Sequence, residues 1–167
     1  VGGVMDATTR NAEALVRTAA NQVANAAQRA TQEANKDIAP RYRYIATLDL
    51  RTTPICRALD GQVFDVDDAS APRPPQHWNC RSTTASVVDW KALGLTPPPV
   101  GKRASRDGPV SSDTTYEDWL KDQSVADQDK VLGRGRAVLF RAGKVTLREL
   151  VASDGRQYTL AELRARL

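Results

Sequence analysis

Long apolar runs are missing from this 167-residue chain. None approaches the roughly 18–20 residues that a membrane-spanning helix requires, so no membrane contact is expected. Cysteine and histidine are scarce, with two of the first and one of the second. Two cysteines do not make a disulfide framework of the secreted kind. Large apolar residues are also sparse. Only two Phe occur, and much of the 41% hydrophobic fraction is alanine, which implies a modest core unevenly spread along the chain. The opening VGGVMDATTR has no basic region followed by an apolar one, so no signal peptide is expected. It also lacks an initiator Met, which suggests a trimmed piece of a longer protein. What is present is a mild positive charge, +4 with a pI near 9.3. That permits contact with nucleic acid or an acidic protein surface and establishes neither. The length fits one domain, or one domain with an appendage.

Taken in order, Asp6 to Asp37 reads as a helix. Leu15, Ala19, Val23, Ala26, Ala30 and Ala34 recur at helical steps and form a narrow, alanine-rich face. Arg10, Arg17, Gln22, Asn25, Arg29, Gln32 and Lys36 occupy the opposite face. The apolar face is expected to pack, within the chain or against a neighbouring subunit. Tyr42, Tyr44, Ala46 and Leu48 then alternate with polar or β-branched residues, predicting a strand from Arg43 to Asp49. One or two helical turns are expected over Ile55–Leu59. After the Asp60-Gly61 turn, Gln62–Asp65 reads as a second strand that pairs with the first. A third short strand is expected over Ser82–Val88. The stretch from Trp90 to Asp113 is rich in Pro, Gly and basic residues and reads as an extended or disordered linker. The tail reads as short helices: one capped by Thr114 or Thr115, one over Val125–Leu132 stopped by Gly133, one over Arg136–Arg141, and two more over Thr146–Val151 and Thr159–Leu167.

Three groups of side chains can carry chemistry. Cys56, His77 and Cys80 can grip a zinc ion, form a Cys56–Cys80 disulfide, or remain two buried thiols beside a hydrogen-bonded histidine; the spacing leaves these open. As a nucleophile pair they lack any recognisable oxyanion loop. Asp49, Arg51, Arg57, Asp60 and Arg81 suggest a buried network holding the loops, with the arginines paired to Asp49, Asp60 or Asp65, rather than an active site of paired carboxylates. From Lys130 to the end, nine basic residues face three acidic ones. Lys130, Arg134, Arg136, Arg141, Lys144 and Arg148 are the candidates for contact with nucleic acid or an acidic partner.

The runs Tyr44-Ile45-Ala46-Thr47-Leu48-Asp49-x-Arg51-Thr52, Cys56-Arg57-x-Leu59-Asp60-Gly61-x-Val63-Phe64 and Pro74-Pro75-x-His77-x-Asn79-Cys80-Arg81-Ser82-Thr83 resemble the phage head morphogenesis family of Mu gpF-like and SPP1 gp7-like minor head proteins. The resemblance implies a structural minor capsid protein of a tailed phage, not an enzyme. It implies the virion head as location, with assembly in the host cytoplasm. The implied partners are the portal or major capsid protein and, by contact, packaged double-stranded DNA. Many relatives carry cysteines where this chain has Thr53 and Ser82, so the fuller metal knuckle they imply is missing here, and no cofactor is expected beyond the zinc alternative. A DNA-binding ejection factor acting through the basic tail is the first alternative function, and a Cys/His hydrolase the second. The expected architecture is α+β: a helix and small antiparallel sheet with the Cys/His loop over 1–90, a Pro-rich linker over 91–113, and a helical tail over 114–167.

Overall fold

The computed structural model describes residues 2–167, with side chains from Asp6 onward, and is α+β. Two compact units form, and neither is continuous in sequence. One contains the chain up to Ile45 together with Gln62–Pro97; the other contains Ala46–Gly61 and Pro98–Leu167. Composition marked boundaries in sequence order. The packing instead returns 46–61 to the C-terminal residues.

In the first unit, helix α1 (Gly2–Ala34) is 33 residues long, about 50 Å at 1.5 Å per residue. Strand β1 (Arg41–Ile45) lies between β2 (Val63–Asp65) and β3 (Thr83–Val87), antiparallel to both. Tyr42 and Tyr44 alternate with more exposed neighbours and are wholly buried. The Tyr42 ring meets Phe64 at 5.6 Å and carries the Arg73 guanidinium 3.9 Å above it. Burial pushes the Tyr42 phenol above its ordinary range, while nearby Arg73 pulls the other way.

Helix α1 meets this sheet with the face opposite to the one expected. Asn25 and Gln32 are buried, whereas Leu15, Ala19, Val23, Ala26, Ala30 and Ala34 are exposed. The reason is hydrogen bonding. Asn21 and Asn25 side-chain amides donate to the Ser82 carbonyl at 3.1 and 3.3 Å. The Gln32 amide donates to Thr84 Oγ1 at 3.0 Å and accepts from Arg73 at 2.8 Å. A sheet edge offering a carbonyl and hydroxyls selects amides, since burying either side without partners would cost about 1–3 kcal/mol per group. Hydrophobic periodicity read this helix inside out because alanine buries little area.

The second unit holds the larger core. Leu48 joins Tyr116, Trp119, Leu120, Leu132, Phe140 and further residues of the tail in one buried cluster. The alternation that predicted a strand to Asp49 is real, since Ala46 and Leu48 are buried, but the sheet ends at Ile45. Leu48 instead bridges Ser105 in parallel, and its carbonyl accepts from Arg106 N at 2.9 Å. The expected linker contains a hairpin, β4 (Lys102–Ser105) and β5 (Gly108–Ser111), turned through Arg106-Asp107 into Gly108, which has φ 116°. Helix α2 (Pro54–Leu59) is the short helix before the Asp-Gly turn.

The tail helices are α3 (Tyr116–Lys121), α4 (Val125–Leu132), α5 (Arg134–Arg141) and α6 (Leu160–Arg164). Thr115 caps α3 in a reciprocal box with Asp118, and Ser124 caps α4. Thr159 caps α6 with Glu162, whose carboxyl is held down to about 2, first by the Arg156 guanidinium and then by Thr159. Residues 146–151 are turns and an isolated bridge, not a helix. Thr146 and Glu149 do form a reciprocal pair at 2.7–3.3 Å. The backbone pairs with the following segment instead: Val151 bridges Gln157, and Tyr158 N donates to Leu150 O at 3.0 Å.

Candidate functional site: a buried carboxylate hub and two exposed surfaces

Asp60 ends α2, where its backbone N–H donates to Cys56 O at 3.1 Å. The following Gly61 has φ 79°, and a Cβ there would come within 2.8 Å of Thr115 Cγ2. This turn directs the Asp60 carboxylate inward, where it is fully buried. Oδ1 accepts from Ala46 N at 2.6 Å and Arg103 Nη2 at 3.0 Å. Oδ2 accepts from Tyr116 N at 2.7 Å and Arg103 Nη1 at 3.1 Å. Arg103 also donates to the carbonyls of Ala46 and, at 3.0 Å, Thr114. One carboxylate thus ties four parts of the second unit together, and its two-pronged arginine partner comes from the hairpin in the expected linker. Sequence reasoning missed Arg103 because a basic residue among Pro and Gly carries no signal of burial.

The other members of the expected network serve backbone. Asp49 Oδ1 accepts from Arg51 N at 3.0 Å and Thr52 Oγ1 at 3.1 Å, closing a turn, and its carbonyl accepts from Tyr116 Oη at 2.7 Å. The Arg51 side chain is exposed. Among the described residues Arg57 has no carboxylate partner. It is buried on α2 and donates to Val131 O at 2.7 Å, while Arg136 reaches Leu132 O at 3.4 Å. Both guanidinium groups therefore meet the unsatisfied carbonyls at the C-terminus of α4, where a positive charge is favoured. Burial holds the Arg57 pKa below its ordinary value. Arg81 is exposed, two residues before β3.

Cys56 lies buried on α2, and Cys80 lies buried in the loop before β3. In that loop His77 is half-buried, with Nδ1 2.7 Å from the Trp78 carbonyl. Asn79 takes φ 58°, and its N–H donates to Thr18 Oγ1 of α1 at 2.9 Å. Between them Trp78 is left 68% exposed.

The basic tail residues divide into two kinds. Arg141 is paired with Asp129 at 2.9 Å. Arg136 also donates to Tyr158 O at 3.0 and 2.8 Å. Lys130, Arg134, Lys144 and Arg148 are exposed, and none has a side-chain hydrogen bond or ion pair among the described residues. No described helix is long and apolar enough to cross a membrane.

The description "Phage Mu protein F like protein" matches residues 2–85, which is half of the chain. The chain belongs to the phage Mu F-like family. Over 83 residues it is 31% identical to the Mu-like prophage FluMu F protein of Haemophilus influenzae, covering 48% of this chain. The chain spans about a fifth of the length of that relative. No solved structure matches. The matched segment of this F-like chain contains α1, β1, β2, the first part of β3, Asp60 and the Cys/His residues. It stops short of Arg103 and Tyr116, which complete the hub.

Proposed function

We propose that this F-like chain is a structural, non-enzymatic component of a tailed-phage head, a minor capsid protein that docks on the portal or the inner capsid. The observation that carries the reading is the family match across α1, the sheet and its loops. The hub supports it. Asp60 and Arg103 spend every strong interaction on main chain or on each other, which organises loops rather than positioning a substrate. Trp78 is the anchor this reading assigns to the partner, because a large exposed aromatic on a loop pinned to α1 gives contact area at little entropic cost. Trp78→Ala is expected to reduce incorporation into heads at least about tenfold, the scale of a lost interface anchor, without changing the melting temperature. Normal incorporation would remove Trp78 from the interface.

The four free cations favour a second reading, contact with packaged DNA. The appropriate variant reverses Lys130, Arg134, Lys144 and Arg148 and leaves Arg136 and Arg141 alone, since those two hold the tail together. In a gel shift with duplex DNA, wild-type affinity should fall steeply with salt. The reversed chain should lose binding, and a tetra-alanine variant should reduce the salt slope by up to about 3–4, near one per phosphate contact. Equal binding by all three proteins would dismiss the DNA role.

A further inference from the structure

Because α1 offers its amides to β3, its apolar stripe points away from its own sheet. Ala12, Val16, Ala19, Val23, Ala26 and Ala30 are all exposed, with Val16 at 66% and Val23 at 70%. Their spacing alternates four and three residues, the a/d repeat of a helix that packs against another helix. Ala20, Ala27 and Ala34 flank the repeat and widen the stripe.

We propose that α1 pairs in antiparallel fashion with α1 of a second copy of this chain along this stripe. The valines fall at a positions and the alanines mostly at d. In a parallel pair, valine would meet valine and alanine would meet alanine, so layers would alternate between wide and narrow and no single helix separation would suit both. With a twofold axis beside Asn21, Val23 lies over Ala19 of the second copy and Val16 lies over Ala26. Ala12 lies over Ala30. Large then meets small in the central layers, and alanine lets the backbones approach closely. The stripe is therefore complementary to itself, as a twofold contact demands. Charge agrees with this arrangement. Glu13 faces Ala27 of the second copy, and Arg29 faces Leu15. Glu13 and Arg29 are already paired within their own helix, to Arg17 at 3.2 Å and Glu33 at 2.6 Å, so no like charges are brought together.

Analytical ultracentrifugation of the whole chain tests this pairing. The expected species at high concentration has twice the 18.2 kDa chain mass and dissociates on dilution. Val16→Asp with Val23→Asp should give monomer at every concentration with an unchanged thermal melt, since both side chains are exposed. A short bis-maleimide should link A20C to itself across the axis. It should not link A12C, whose two copies would lie about 27 Å apart along the helices. Monomeric wild-type protein up to about 100 µM, a dimer indifferent to the aspartates, or cross-linking through A12C in place of A20C would each overturn the proposal.

Discussion

Asp60→Ala is expected to lower the melting temperature of the chain by roughly 10 °C. Removing one partner of a buried ion pair costs about 3–5 kcal/mol, because the other charge is left without compensation. For a chain of this size, 1 kcal/mol corresponds to about 2–4 °C. The abandoned partner here is Arg103, 11% exposed at its side chain, and two backbone donors, Ala46 N and Tyr116 N, lose their acceptor as well. Asp60→Asn should be nearly as damaging. The amide keeps one acceptor oxygen but turns an N–H group toward donors. Arg103→Lys tests geometry separately, since an ammonium cannot reproduce the two-pronged contact. Circular dichroism melts measure all three. A shift under about 2 °C for Asp60→Ala would mean that the hub does not hold the second unit together.

Trp119→Ala should destabilise by about 3–5 kcal/mol, the usual cost of emptying a large aromatic site in a core. Trp119 is 3% exposed, and its ring meets Tyr116 edge-on at 5.2 Å between centroids. Its indole N–H donates to Asp107 Oδ2 at 3.1 Å, at the turn of the β4–β5 hairpin. Trp119→Phe keeps most of the packing and loses that bond, so its cost should be near 1 kcal/mol plus a smaller cavity. Urea denaturation with both variants separates packing from hydrogen bonding. Equal costs for the two would show that the hairpin contact, and not the filled volume, carries the stability.

These two effects also show where sequence reading succeeds and where it stops. The three strands of the first unit, the Asp60-Gly61 turn and the caps at Thr115 and Thr159 were legible because local chemistry decides them. A polar side chain at a helix start or a left-handed glycine at a turn needs no distant partner. The partner of Asp60 was not legible. Arg103 lies 43 residues away in a stretch whose composition suggests solvent, and nothing local marks it as buried. The inward face of α1 was misread for a related reason. Periodicity weighs apolar area, but this helix packs on a sheet edge that asks for hydrogen bonds, and the deciding groups, Ser82 and Thr84, lie some 52–61 residues away. At Thr146 the capping pair was real and the helix was not, because Leu150 and Val151 pair with Gln157 and Tyr158, residues that local capping chemistry does not register. Among the basic residues, charge counting could not separate Arg136 and Arg141, which are bound to the protein itself, from the four that are free.

The central claim, that this F-like chain is built into phage heads, is tested most directly by quantitative mass spectrometry of purified heads from the phage that encodes it. The account predicts that the chain is present in mature heads at a fixed, low copy number relative to the major capsid protein, and that it remains through washing in high salt. Its absence from heads that are otherwise complete and infectious would contradict the account.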